Sequence, residues 1–230
     1  MDRYILFLTI IFCILFFSAC HTPDYKSEDT LIPSLGYQID QQIDNSICDE
    51  IIDFSDSGSN TEAPFSIGDI IPDNLLVESD YCYPPDSLGR SFSFANYPNK
   101  VFMIEMSASW WGPCLKSIPE GEAIYETWKE HSSVQIIHLL DDIAQPYTCE
   151  MWGDLTGDED DEYPEIQNIP PIINDGNLYP LRDLFPPGAG NIDYPITIFM
   201  DHNMRIIHIE HGSINLNEAK VYINCMLEAM

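Results

Sequence analysis

The segment Trp110–Cys114 reads Trp-Trp-Gly-Pro-Cys and combines a thiol with residues suited to the start of a helix. It follows the apolar run Val101–Met106, and Pro113 fits a first helical turn because its missing N–H needs no partner there. Cys114 is therefore expected in that turn, where free amides and the helix dipole favour a thiolate. Because thiolates attack disulfides, the segment predicts thiol–disulfide chemistry.

Glu105 is the acidic residue within this apolar run. In a buried strand its carboxylate would be desolvated, which raises its pKa and lets it exchange protons near neutral pH. Alternatively, a strongly twisted strand would let it reach solvent. Burial is the favoured prediction.

The segment resembles the W-C-G-P-C motif of the thioredoxin superfamily, with Trp111 standing where the first cysteine would be. The resemblance implies that Cys114 is the second, resolving cysteine and that Glu105 is the buried acid that exchanges a proton with it. An indole cannot attack a disulfide, and a single thiol can form a mixed disulfide but cannot release it alone. We therefore expect weak, altered or lost redox activity.

The distant segment Tyr194–Asp201 resembles the part of the same family in which a cis-proline opens a strand, and Met204–Ile209 would be the next strand of a hairpin. The resemblance implies that backbone groups at Pro195 pair with an extended peptide. Cys114, Glu105 and Pro195 are thus the candidate catalytic residues. The candidate substrate groove consists of Trp110, Trp111, Gly112, Pro113 and Tyr194.

The resemblance predicts an α/β, thioredoxin-like fold: a central mixed β-sheet flanked by helices, within a domain of residues 66–230. The part of this domain that precedes Val101 resembles the corresponding part of membrane-anchored bacterial thiol–disulfide oxidoreductases and peroxiredoxin relatives. The expected order is β-α-β-α-β-β-α. The predicted elements, besides the hairpin, are a strand at Val101–Met106, a helix from Pro113 to about Glu130 bent at Pro119, a strand at Val134–Leu140, a helix at Cys149–Leu155 and a capped helix at Asn215–Ala229.

The first 19 residues are typical of an export signal, because their apolar stretch is shorter than the roughly 20 residues that a membrane span needs. Phe17–Cys20 resembles a bacterial lipobox, which implies a lipid on Cys20; ordinary signal cleavage is the alternative. Residues 20–65 are interpreted as a flexible acidic tether. The expected location is the bacterial cell envelope, lipid-anchored, facing the periplasm or in the outer membrane.

The formal net charge of −29 argues against nucleic-acid binding and leaves a lipid on Cys20 as the expected membrane contact. An insertion at about 153–190 is acidic and rich in proline. Its carboxylates could supply oxygens to calcium, but without EF-hand spacing a solvated loop is favoured, and we expect no metal site and no cofactor.

Five cysteines remain after Cys13 and Cys20, so at least one thiol is free or pairs between chains. Because exported proteins meet an oxidising compartment, we expect disulfides among the other cysteines, and a bond between Cys48 and Cys82 is one hypothesis. Cys225 is expected to be buried and inert. Cys149, or else Cys82, could approach Cys114 and form an atypical redox pair.

The sequence therefore predicts an exported, lipid-anchored thioredoxin-like protein with an incomplete motif, whose partner is a protein or peptide thiol or disulfide. An alternative is a non-catalytic module that binds peptides or proteins through Trp110, Trp111 and the cis-proline loop. A peroxiredoxin-like peroxidase is disfavoured, because the peroxide-attacking cysteine would fall close to Trp111.

Overall fold

The structure is a computed structural model, and all the residues that it describes belong to a compact unit, Gln42–Met230. The predicted signal peptide, Cys20 and the acidic run at 158–162 lie outside the described residues. The described residues are 48–49, 51, 65–72, 74–75, 80–84, 87, 89–141, 147–153, 170–174 and 194–230.

Within this part of the chain, six strands form one mixed sheet with the order β1-β4-β3-β2-β5-β6. The central strand β2 pairs in parallel with β3 and antiparallel with β5. All residues of β2 are buried, as its continuous apolar run predicted. The strands are β1 (Tyr81–Tyr83), β2 (Val101–Ala108), β3 (Val134–Asp141), β4 (Ile172–Asn174), β5 (Ile196–Met200) and β6 (Ile206–His211).

Besides a short 3-10 helix at Phe94–Asn96, the helices that flank this sheet include α1 (Gly112–Trp128), α2 (Cys149–Gly153) and α3 (Leu216–Glu228). Residues of β2 alternate between two cores, as side chains of a strand must. Met103 packs with residues of α1 and α3, whereas Phe102 packs in the core that contains Trp152 of α2. The predicted class, a mixed sheet flanked by helices, is confirmed.

The predicted capped helix is also confirmed. The Asn215 side chain accepts a hydrogen bond from the Glu218 amide at 3.1 Å. The Glu218 carboxylate accepts one from the Asn215 amide, also at 3.1 Å. This reciprocal pair satisfies two amides that would otherwise lack partners at the helix start, and it fixes where α3 begins.

Two disulfides join Cys48 to Cys225 and Cys82 to Cys149. The hypothesis that Cys48 pairs with Cys82 is therefore wrong. Cys225 is buried as predicted, but it is bonded rather than a free inert thiol. Both bonds connect segments far apart in sequence, which spacing alone does not reveal.

Of the described helices, none combines the length and the apolar character needed to cross a bilayer.

Candidate active site

The start of α1 and the start of β5 meet at the end of the central strand. The Tyr194–Pro195 peptide bond is cis, as predicted, and Ile196 begins β5 immediately after it. The Trp111 indole N–H donates a hydrogen bond to the Tyr194 carbonyl at 3.0 Å, joining residues 83 apart in sequence. The helix that follows the central strand thus faces a cis-proline. The fold is thioredoxin-like.

The sequence matches no protein-family model and no curated protein sequence. Among solved structures, similar folds include an exposed lipoprotein thioredoxin of Streptococcus pneumoniae (15% identity, TM-score 0.46, 64% of this chain and 98% of that one). Another is a putative protein disulfide isomerase of Bacteroides thetaiotaomicron (19% identity, TM-score 0.47, 74% of this chain and 94% of that one). A third is a thioredoxin-family thiol:disulfide interchange protein of Chlorobium tepidum (15% identity, TM-score 0.47, 74% of this chain and 99% of that one). The thioredoxin-like fold follows from this chain's own strand order and cis-proline.

The aromatic residues of the predicted groove form a surface cluster. Trp110 and Trp111 are 41% and 39% exposed, although they are large apolar side chains. The Trp110 ring meets the Trp111 ring edge to face at 6.0 Å and the Tyr194 ring at 6.2 Å. The structure therefore brings the predicted groove residues Trp110, Trp111 and Tyr194 together.

Cys114 lies in the first turn of α1, as predicted, but its side chain is fully buried. Burial raises the pKa of its thiol to about 12 and outweighs a hydrogen bond from the Ala108 amide to Sγ at 3.4 Å, which lowers it. The negative charge of Glu105 raises this pKa further. Desolvation therefore outweighs the helix-start amides, which we expected to favour the thiolate.

Glu105 is buried, which confirms the favoured prediction. Desolvation raises the pKa of its carboxyl to about 7, against the opposing effect of the nearby Ser117 and Ser107 hydroxyls. The Ser117 hydroxyl donates to Oε1 at 3.0 Å. Gly121 of α1 allows the close approach, because a Cβ atom there would lie 2.9 Å from Oε2. Glu105 can thus gain or lose a proton near neutral pH.

Polar residues beside Glu105 were missed in the sequence. His138 lies opposite it on β3 and Thr197 lies opposite it on β5, so both share its face of the sheet. Burial lowers the pKa of His138 to about 4, so the imidazole is neutral at pH 7. Ser107 follows two residues after Glu105 and shares the same face. The two-residue period of β2 could have revealed Ser107; His138 and Thr197 required the strand register.

The suggested alternative redox partners of Cys114 are bonded to each other. Cys82 and Cys149 form a disulfide, so neither is paired with Cys114 in this structure, and Cys114 is the free cysteine among the described residues. The Pro195 carbonyl accepts a hydrogen bond from Gly212 at 2.8 Å and is engaged within the fold. No cluster of His, Cys, Asp and Glu suited to a metal occurs in the described ranges.

Proposed function

We propose that this chain is an exported thioredoxin-like protein, related to thiol–disulfide oxidoreductases, whose redox activity is weak, altered or lost. Its partner would be a protein or peptide thiol or disulfide. One observation carries the proposal: the Trp111 indole, hydrogen-bonded to the Tyr194 carbonyl, stands at the expected place of an attacking thiol while Cys114 is fully buried.

The state of Cys114 supports the loss of turnover. With a pKa of about 12, only about one thiol in 10⁵ is ionised at pH 7. The thiolate is the attacking species, and release of a mixed disulfide needs a second thiol nearby. Cys82 and Cys149 cannot supply that thiol while they are bonded to each other.

The proposed location rests on the sequence. The short apolar leader and the Phe17–Cys20 segment support export and a lipid on Cys20, which would hold the protein at the bacterial envelope. Residues 20–65 would then act as the acidic tether, and residues 66–230 as the domain it carries.

Labelling of Cys114 in the native protein tests the loss of reactivity. We expect iodoacetamide to modify Cys114 about a hundredfold more slowly in the folded protein than in denaturant. Raising the pKa from the usual 8.5 to about 12 lowers the thiolate fraction by about 3.5 powers of ten, and the higher nucleophilicity of the more basic thiolate offsets about 1.6 of these. Mass mapping of the Cys114 peptide measures both rates. Equal rates in the two states would contradict the proposal.

A second candidate function is a non-catalytic module for peptides or proteins. The exposure of Trp110 and Trp111 beside the cis-proline favours it, since tryptophan is enriched at the centres of binding interfaces. The Tyr194 carbonyl already accepts a hydrogen bond from Trp111. A bound peptide would therefore contact the aromatic surface more than it would pair with the backbone at that carbonyl. This function needs no ionised cysteine.

Trp110→Ala tests the binding function. With a carboxymethylated insulin B chain as a thiol-free probe, we expect the substitution to weaken binding about 30-fold, the effect of losing about 2 kcal/mol at an interface centre. Fluorescence anisotropy gives the Kd. Met151→Ala, which shortens a 52% exposed apolar side chain on α2, is the matched control and should leave the Kd unchanged. Equal weakening by both substitutions would count against the aromatic surface.

A further inference from the structure

The last strand of the sheet, β6, leaves part of its outer edge uncovered. At its start, the Gly68 amide donates to the Ile206 carbonyl at 2.8 Å and the Ile206 amide donates to the Asp69 carbonyl at 2.9 Å. At the opposite edge of the sheet, Tyr81 of β1 exchanges backbone hydrogen bonds with residues 89–90. Within the described part of the chain, no segment other than β5 is hydrogen-bonded to the backbone of residues 207–211. An uncovered edge of this kind is a template for a further strand.

The backbone groups of Ile209 point outward from this edge. The Gly212 amide donates to the Pro195 carbonyl at 2.8 Å, and this bond flanks the cross-strand pair of His211 and Ile196. In an antiparallel ladder that pair is then a non-hydrogen-bonded one, so the N–H and C=O of His211 point away from β5. Ile209 lies two residues earlier in the same register and is oriented in the same way. It therefore offers one donor and one acceptor to a further strand.

The side chains on either side of Ile209 are complementary to each other. His208 Nε2 and Glu210 Oε2 lie 3.1 Å apart, and the two side chains are 23% and 39% exposed. The Tyr222 ring of α3 stacks on the His208 ring at a centroid distance of 4.2 Å and orients it. Edge charges that oppose pairing between copies are of one sign. Here an imidazole and a carboxylate occupy positions that mirror each other about Ile209.

We propose that two copies of this chain pair through β6 in antiparallel orientation, with a twofold axis at Ile209. In this register the two Ile209 residues exchange both N–H···O=C bonds. His208 of each copy lies opposite Glu210 of the other copy, in a non-hydrogen-bonded pair, where facing side chains are closest. The twofold axis repeats this contact, so imidazoles and carboxylates alternate across the interface. The interface is separate from the candidate active site and does not depend on its redox activity.

The ends of β6 fit this arrangement. In the proposed register, Gly212 of the second copy would come opposite Ile206, whose edge already binds residues 68–69. β6 ends at His211, and Gly212 has a φ of +112°, so the chain leaves the strand where it would otherwise meet that segment. Residues 207–211 of the two copies can therefore pair while residues 68–69 stay in place.

The dimer should be weak because the contact is short. Stable complexes use about 20–30 residues on each side, far more than residues 207–211 provide. The net charge of −29 on each copy also opposes association, although charges more than about 8 Å apart are largely screened at 0.15 M ionic strength. We expect a dissociation constant on the order of 100 µM.

Sedimentation equilibrium of the full chain, from about 10 µM to about 1 mM at 0.15 M ionic strength, tests the dimer. Glu210→Lys should raise the Kd at least about tenfold, because it replaces the carboxylate that faces His208. Glu228→Lys makes the same change of net charge at an exposed position of α3 and should not raise the Kd. A wild type that is monomeric at about 1 mM would overturn the proposal, and so would equal weakening by both substitutions.

A mixture of two variants tests the register. His208→Glu places two carboxylates opposite each other, and Glu210→Lys places an ammonium opposite an imidazole, so neither variant should pair well with itself. In the mixture, the introduced carboxylate faces the introduced ammonium, and the native His208 faces the native Glu210. We expect the mixed dimer to form at least about tenfold more tightly than either variant alone. No preference for the mixed dimer would contradict the register.

Amide hydrogen exchange locates the interface without any substitution. The Ile209 N–H points outward in a single copy, so its exchange should slow about fourfold between about 10 µM and about 1 mM at the expected Kd. The Glu210 N–H bonds to β5 in both states and serves as the internal control. Association with unchanged exchange at Ile209 would mean that the copies meet elsewhere, and it would overturn the proposal.

Discussion

Replacing Trp111 with cysteine should raise the rate of insulin-disulfide reduction on the order of a hundredfold. A thiol with a pKa of about 7, typical of C-x-x-C motifs, is about half ionised at pH 7, whereas Cys114 with a pKa of about 12 is ionised in about one molecule in 10⁵. The two ionised fractions differ by nearly five powers of ten. The thiolate with the lower pKa is the weaker nucleophile, and this reduces the expected gain in rate by about 2.5 powers of ten. The introduced thiol would also have Cys114 three residues away to resolve the mixed disulfide.

Turbidity of reduced insulin, with dithiothreitol as the electron source, measures this gain. Trp111→Ser is the matched control, because it removes the indole and its hydrogen bond to the Tyr194 carbonyl but supplies no thiol. Equal rates for Trp111→Cys and Trp111→Ser would mean that the groove is not at this helix start. Adding Cys114→Ser to Trp111→Cys should slow turnover, because release of the mixed disulfide would then depend on dithiothreitol instead of Cys114.

Glu105→Gln should stabilise the protein increasingly as the pH rises. The folded pKa of Glu105, about 7, lies above its ordinary value of 4.5, so the folded state holds a proton that the unfolded state has lost. The wild type therefore loses stability from about pH 4.5 upward, and the loss levels off above about pH 7 at about 3 kcal/mol. Glutamine removes this dependence and accepts the same hydrogen bond from Ser117.

Urea unfolding of both proteins at about pH 4 and about pH 8 measures the effect. The difference in free energy of unfolding, mutant minus wild type, should grow by about 3 kcal/mol between these conditions. The buried His138 is present in both proteins, so its own titration cancels from the comparison. Glu228→Gln, at an exposed position at the end of α3, should show no comparable growth. A constant difference for Glu105→Gln would contradict the assigned burial of the carboxyl.

Local patterns were enough to predict much of the fold. The apolar run at Val101–Met106 predicted β2, and Pro113 predicted the start of α1. Asn215 together with Glu218 predicted the start of α3. Each of these depends on residues close in sequence. The cis peptide bond before Pro195 could also be predicted, because the surrounding segment resembles the cis-proline segment of a known family.

The rest depended on contacts between distant segments. The disulfide partners of Cys48 and Cys82 are set by how strands and helices pack, and spacing does not encode that choice. The direction in which the pKa of Cys114 shifts depends on the balance between helix-start amides and burial. Only the packed structure shows how deeply the thiol is buried. His138 entered the site through the register of β3 against β2, an arrangement that no local pattern fixes.

The bond between Cys48 and Cys225 also determines what a protease could do to this protein. A single cut at any position between these two cysteines leaves both fragments covalently joined. If Cys20 carries a lipid, a nick between residues 49 and 224 would therefore not shed the domain from the membrane. Release by one cleavage would require a cut between residues 20 and 48.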